Sequence, residues 1–276
     1  MAFLERLARR LPDIGDDAAV VEAPKGPLLL AADALVEGVH ADLTLTTAAD
    51  LGWKALAVNV SDIAAMGGRP LHAVVTVVVP PGRGADLEGL YEGLLEASDA
   101  FGCTVVGGDL SAGPTLTVSV AVTGTVDDGG PGPVLRSGAR PGDRLWVTGP
   151  LGGAARELAA RRPGPAHARP QPRLGPGAAA RHAGATAMLD LSDGIALDVR
   201  RLGTASGVGV VIEAVPVAEG ATLEQALGGG DDYELLAASP VPLAGWRLVG
   251  RCTDDPDERR LGDSPLPEGG WSHTWS

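Results

Sequence analysis

Apolar and polar positions change period along this chain, and each change marks an element. Residues 71–79 read LHAVVTVVV, a β-branched run closed by Pro80-Pro81, which predicts a strand. Residues 47–66 instead repeat at helical spacing, with Leu51, Ala55, Val58, Asp62 and Ala65 along one stripe. Thr46 or Thr47 can cap that helix, and Gly67-Gly68 stops it. Short strands are expected at 18–22 and 27–32 around a Pro-Lys-Gly turn, a helix at 85–101, and strands at 103–106 and 116–126. The order is β-β-α-β-α-β-β.

Residues 127–143, DDGGPGPVLRSGARPGD, form the expected domain boundary. Beyond it the pattern predicts a strand at 144–148, helices at 151–162 and 178–184, a strand at 186–190, a helix at 193–205, and strands at 208–213, 233–238 and 246–251. The proline-rich stretch 163–177, PGPAHARPQPRLGPG, reads as a surface loop or a lid. The expected fold class is mixed α+β in two domains, residues 1–130 and 136–276.

Composition narrows the function. The net charge is −13, from 22 basic and 35 acidic residues, which argues against a general nucleic-acid surface. It leaves room for phosphorylated small molecules bridged by metal ions. Cys103 and Cys252 have neither CxxC nor Cys/His spacing, so no zinc site or disulfide framework is expected, and a reducing cytoplasm fits. The N-terminal MAFLERLARRLP breaks its apolar residues with charge and reads as an amphipathic helix rather than a signal peptide. No apolar run approaches the roughly 20 residues of a membrane span.

The aspartates change the picture most. They punctuate glycine-rich or apolar segments at Asp16-Asp17, Asp33, Asp62, Asp109, Asp190, Asp193 and Asp231-Asp232, while only two lysines exist. Carboxylates near apolar residues need partners. Hard oxygens with few cations in sequence reach suggest Mg2+ or a similar ion. Asp62 continues an apolar stripe at the negative end of its helix, doubly unfavourable without a cation. Capping of a neighbouring loop is the alternative, and a metal ligand is preferred. Asp17 can equally form an Asx turn. Asp33 and Gly107-Gly108-Asp109 each put a carboxylate where a strand is expected to end. Ser192 or Asp193 can cap a helix or hold an anion or metal at its start, and both can hold together. Taken as a set, these segments favour a polyphosphate–Mg2+ site.

Familiar alternatives are missing: no GxxxxGK[ST] loop, no HRD/DFG pair, no GxSxG elbow and no HExxH. Gly207-Val208-Gly209 lacks the third glycine of a dinucleotide fingerprint.

The stretches IGDDAAV (14–20), DALVEGVH (33–40), GWKALAVNVSDIAAMGGRP (52–70), VVGGDLS (105–111), RSGARPGD (136–143), DLSDGIALD (190–198) and GGDDYELL (229–236) together resemble the thiamine-monophosphate kinase family, of the aminoimidazole ribonucleotide synthetase-like superfamily. The resemblance implies a two-domain PurM-like fold. Its N-terminal half would bind ATP and Mg2+ and give strands to a barrel shared in a homodimer; its C-terminal half would be α/β sandwich-like. It implies transfer of the γ-phosphoryl of ATP directly to the phosphate of thiamine monophosphate, in the cytoplasm, with no nucleic acid or membrane partner.

By motif, Asp17, Asp33, Asp62, Asp109, Asp190 and Asp193 would be Mg2+ ligands, with carbonyl ligation at Ala31 and Ala32. Tyr91, Gly108, Asp109, Arg136 and Ser192 would contact ATP; His40, Asp231 and Trp271 would contact the substrate. Asp62, Asp109 and Arg136 would carry catalysis, while Asp16 and Asp232 hold their turns.

Three departures stand out. Ala31-Ala32 replaces the usual Thr-Thr, Asp231 replaces a glutamate one methylene longer, and the second half is short for the family. For Trp271, in the tail GGWSHTWS, docking of the tail on the core and stacking on the substrate ring are both open. Two other functions also remain open: a superfamily synthetase acting on a ribonucleotide amide, and a non-catalytic nucleotide-binding protein. Selenophosphate synthetase is disfavoured, since no reactive cysteine precedes the first aspartate cluster.

Overall fold

The computed structural model describes residues 10–11, 18–162 and 164–272. The expected N-terminal helix, Asp16 and Asp17 lie essentially outside them. The chain divides into two compact units, residues 1–63 with 69–128 and residues 64–68 with 129–276. Among the described residues, no helix is long and apolar enough to cross a membrane.

The first unit contains β1 (Leu28–Val36), α1 (Ala48–Ala65, whose last residues group with the second unit), β2 (Arg69–Val79), α2 (Asp86–Phe101), β3 (Thr104–Ala112) and β4 (Thr117–Thr125). The strands form one open sheet in the order β1-β4-β2-β3, with only the β2–β3 pair parallel. Alternation sorts its faces. Val118, Val120 and Val122 are buried with Ala73, Val75 and Val77, whereas Leu30 and Val74 on the other face are 73% and 45% exposed. Among the described residues of a single chain the sheet is therefore open, and no closed barrel forms.

Local signals explain both helices. The Thr47 hydroxyl accepts the Asp50 N–H, and the Asp50 carboxylate accepts the Thr47 N–H, a capping box that starts α1. The two helices cross closely because glycines face the contact. A Cβ on Gly93 would lie 1.8 Å from the Ala49 carbonyl oxygen, and one on Gly52 would lie 1.9 Å from that of Leu90.

Three expectations here are corrected. Residues 18–22 form no strand. β1 continues through Asp33 to Val36, and β3 continues through Gly107-Gly108-Asp109 to Ala112. Full-length pairing with β4 and β2 outweighs the weak β preference of Asp and Gly.

The second unit adds β5 (Arg144–Val147), α3 (Gly153–Ala159), α4 (Pro165–Ala168), α5 (Leu174–Ala183), β6 (Ala187–Asp190), α6 (Ile195–Ser206), β7 (Gly209–Ile212), α7 (Leu223–Gly228), β8 (Leu235–Ser239), β9 (Arg247–Thr253), β10 (Arg259–Leu261) and β11 (Ser264–Pro265). Its mixed sheet runs β11-β10-β7-β9-β5-β8-β6. Both faces are covered, so its strands read as continuous apolar runs. Leu145, Val147, Leu189, Leu236 and Ala238 pack with Ile195, Val199 and Leu202 of α6. Their alternates Trp146, Met188, Leu235 and Ala237 pack with Ala180 of α5 and with Ala64 and Ala65. The stretch 163–177 is not a plain loop: it carries α4 and the start of α5. α7, β10 and β11 were not expected.

Candidate active site

In the first unit α1 is sealed nearly all round. Leu56, Ala57, Val60, Ile63 and Ala64 are buried as deeply as the expected stripe. Such a helix has no single apolar face, so its periodicity could not orient Asp62. Lys54, Asn59 and Ser61 are the polar residues buried on it, whereas Asp62 is half-buried.

Asn59 ties the helix to β1. Its Oδ1 accepts the Asp33 N–H at 2.9 Å, and its Nδ2 donates to the Ala55 carbonyl at 2.9 Å. Asp62 lies three residues on, on the same helix face as Asn59. Asn59 thus brings Asp33 and the Asp62 turn together. Asp33 sits within a strand rather than at its end, and Ala31 and Ala32 precede it in β1, paired with Val122 and Ala121.

Across the sheet the register runs Asp33–Val120–Val75–Gly108, and Asp109 follows. Gly108 has to be glycine, because a Cβ there would lie 1.9 Å from the Val75 carbonyl oxygen. Ser111 donates to Asp109 Oδ2 at 2.9 Å. The Tyr91 phenol on α2 is pushed up to about 12, first by burial and then by the charge of Asp109. Asp109 is thus close enough for its charge to act on the Tyr91 phenol. His40 Nδ1 accepts the Val36 N–H at 3.1 Å, which leaves the ring proton on Nε2 when the imidazole is neutral. The ammonium of Lys54, 3% exposed, reaches the His40 carbonyl at 3.4 Å.

In the second unit the expected residues meet at three turns. Asp190 ends β6 and is buried. Asp193 precedes α6, whose N-cap is Gly194 with no side-chain cap, so neither Ser192 nor Asp193 fills that position. Instead Asp198, in the first turn, accepts the Asp193 N–H at 3.0 Å. Arg201 pairs with Asp193 and, at 2.7 Å, with Asp198. Burial pushes the Asp198 carboxyl up to about 7; the Asp193 N–H opposes this, and the Asp193 charge adds to it.

The GGDDYEL turn is strained: Asp231 and Tyr233 have φ of 65° and 49°, in the left-handed region that favours glycine. Asp231 donates its N–H to the Ser192 carbonyl at 2.7 Å, and its carboxylate meets His167 Nδ1 at 2.8 Å. Asp232 Oδ1 accepts the Gly152 N–H at 2.8 Å, serving the start of α3, while its Oδ2 is sealed without a hydrogen-bond partner. Burial is the main reason its carboxyl is pushed up to about 7. Glu234 is clamped by Arg173, with Arg173 Nε at 2.8 Å, and receives the Thr148 hydroxyl.

The backbone N–H of Trp271 donates to the Asp193 carbonyl at 3.0 Å, which holds the chain at residue 271 against the turn before α6, and Trp271 is still 39% exposed. A cavity of about 590 Å3 lies between α7 and residues 267–270, lined by Leu223, Leu227, Gly228 and Pro267. Arg136 is exposed on its loop.

Partners for the carboxylates therefore do exist, contrary to the shortage inferred from the sequence. Arg201, His167 and Arg173 supply three of them. The last two come from the proline-rich stretch, more than 60 residues before Asp231 and Glu234. No local pattern could have flagged them. Asn59 stands three residues before Asp62 in the sequence, but its bond to the Asp33 N–H spans 26 residues and carries no local signal. Both cysteines are buried and free, with thiols pushed up to about 12 by burial.

A family model described as AIR synthase related protein, N-terminal domain, matches residues 15–126. A thiamine-monophosphate kinase of Mycobacterium tuberculosis H37Rv is 39% identical over 271 residues, covering 88% of this chain and 79% of the relative. The chain belongs to the thiamine-monophosphate kinase family. It is a kinase.

Solved structures agree with this family. The thiamine-monophosphate kinase of Stenotrophomonas maltophilia superimposes with a TM-score of 0.83 at 30% identity, covering 97% of each chain. The ThiL structure complexed with AMPPCP and TMP (AaThiL) superimposes with a TM-score of 0.82 at 31% identity, covering 99% of this chain and 96% of that one.

Among the described residues of this kinase, no three His, Cys, Asp or Glu side chains are gathered to hold a metal by themselves. The donor chemistry nevertheless fits Mg2+. That ion takes one or two carboxylates and completes its shell from phosphates and water rather than from a protein cage. Asp33, Asp62 and Asp109 offer such carboxylates.

Proposed function

We propose that this kinase transfers the γ-phosphoryl group of ATP in line to the phosphate of thiamine monophosphate, giving thiamine diphosphate with no covalent enzyme intermediate. The observation that carries this reading is the likeness, over nearly its whole length, to a ThiL structure that holds an ATP analogue together with TMP. The acceptor is already an ionised phosphate, so no strong general base is needed. What the chain contributes is positioning and charge neutralisation.

Asp17, Asp33, Asp62, Asp109, Asp190 and Asp193, with the Ala31 and Ala32 carbonyls, are the proposed Mg2+ ligands. Bound Mg2+ would offset phosphate charge that the carboxylates alone would repel. Asp193 already carries Arg201, so its share in metal binding would be partial. Tyr91, Gly108, Asp109, Arg136 and Ser192 would hold ATP, and Arg136 would meet charge on the transferred group. His40, Asp231 and Trp271 would hold thiamine monophosphate, with the exposed indole offered to its cationic ring.

Leu30 and Val74, on the open face of the first unit's sheet, favour a homodimer through that face. Buried free thiols suit a reducing cytoplasm. Asp62→Asn tests the reading. The half-buried site tolerates an isosteric amide, so the variant should fold with wild-type circular dichroism yet lose turnover. Near-wild-type turnover at saturating Mg2+ would sink the metal role of Asp62.

A further inference from the structure

We propose that His167 is a positioning residue for the Asp231 carboxylate, and that through it the proline-rich stretch sets affinity for thiamine monophosphate. This rests on the reading of Asp231 as a substrate contact.

His167 is 4% exposed, and its Nδ1 lies 2.8 Å from Asp231 Oδ2. The main chain that carries the ring is anchored, because the backbone N–H of His167 donates at 2.9 Å to the buried Glu157 carboxylate. Asp231 is held too, by its left-handed backbone and its N–H bond to the Ser192 carbonyl. Its side chain nonetheless stays 23% exposed. A partly exposed carboxylate fixed at one oxygen by a buried ring has its direction set in advance, which lowers the ordering cost of binding a ligand. A second clamp, Arg173 on Glu234, ties the same stretch to the same turn three residues further on. Both fastenings grip the turn that carries Asp231.

The test is calorimetric binding of thiamine monophosphate and of a non-hydrolysable ATP analogue to full-length wild type, His167→Leu, His167→Asn, Asp231→Ala and the His167→Leu/Asp231→Ala double variant. His167→Leu keeps most of the volume and removes the ring nitrogens, whereas His167→Asn returns a donor near the Nδ1 position. His167→Leu is expected to weaken thiamine monophosphate at least fivefold and leave the ATP analogue within twofold. His167→Asn should recover most of that loss, and His167→Leu should add nothing once Asp231 is gone.

Wild-type affinity in His167→Leu, with Asp231→Ala weakened, overturns the positioning role and leaves the substrate reading standing. An equal loss from His167→Leu with or without Asp231 also overturns it. Unchanged affinity in Asp231→Ala overturns the substrate reading of that residue and the proposal with it.

Discussion

Asn59 ties β1 to α1 at Asp33, so its removal has a calculable consequence. The side chain is 1% exposed and makes two hydrogen bonds, from the Asp33 N–H and to the Ala55 carbonyl. Losing the Ala55 bond costs little, because that carbonyl sits four residues back in the same helix and keeps its helical role. Losing the Asp33 bond costs about 1 kcal/mol, since water can reach that edge strand. The vacated amide adds about 1–2 kcal/mol of unfilled space. Asn59→Ala should therefore lower the unfolding free energy by about 2–3 kcal/mol in urea titrations. Function should fall further than stability. Once β1 is released from α1, Asp33 shifts, and displacement on the order of 1 Å can cost on the order of 100-fold in rate. Steady-state kinetics under conditions where the variant is fully folded should show kcat/KM for ATP reduced at least tenfold. Unfolding free energy within about 0.5 kcal/mol of wild type would refute the energetic argument. Lowered stability with unchanged kcat/KM would show that Asn59 supports the fold and not the site.

Three further outcomes follow from particular contacts. Arg173→Ala leaves the Glu234 carboxylate, 5% exposed, with only the Thr148 hydroxyl among the contacts described above. A loss of about 2–3 kcal/mol is expected, between the worth of surface and buried pairs, and a melting temperature within a degree of wild type would contradict it. Asp232 carries a carboxyl raised from 3.8 to about 7, so the folded state binds the extra proton between those values. Stability should fall as pH rises from about 4 to about 7. Asp232→Asn should come closest to wild type near pH 3, below both values, and exceed it at pH 8 by up to about 4 kcal/mol, and a variant with an unchanged pH slope in calorimetry would refute this. Gly93→Ala places a methyl 1.8 Å from the Ala49 carbonyl and should prise α1 from α2, lowering the melting temperature by several degrees; an unshifted transition would refute the close crossing.

What the sequence made legible was local. The helix at 47–66 forms as Ala48–Ala65 because its start and stop signals, Thr47 with Asp50 and Gly67, lie within the segment. The strand at 71–79 forms as Arg69–Val79 because β-branched residues dominate it. Local preference failed where pairing decided the outcome: β1 and β3 run straight through Asp33 and Asp109, because β4 and β2 lie alongside for their full length. It failed again on α1, where burial on every side hides which residues face the site.

The candidate site shows the same division. Asp62, Asp109 and Asp231 announce themselves in short motifs. Their supports do not: His167 and Arg173 stand in a stretch that reads as a proline-rich loop, and only folding sets them against Asp231 and Glu234. Sequence arithmetic saw too many carboxylates and too few cations. Part of that imbalance is settled by arginines and a histidine from distant segments. A Mg2+–nucleotide complex is proposed to act around Asp33, Asp62 and Asp109.

The most direct measurement is 31P NMR of the full-length kinase with ATP, Mg2+ and thiamine monophosphate. The account predicts that thiamine diphosphate and ADP appear in equal amounts and that neither forms when the divalent ion is chelated. ADP released with inorganic phosphate and no thiamine diphosphate would contradict it.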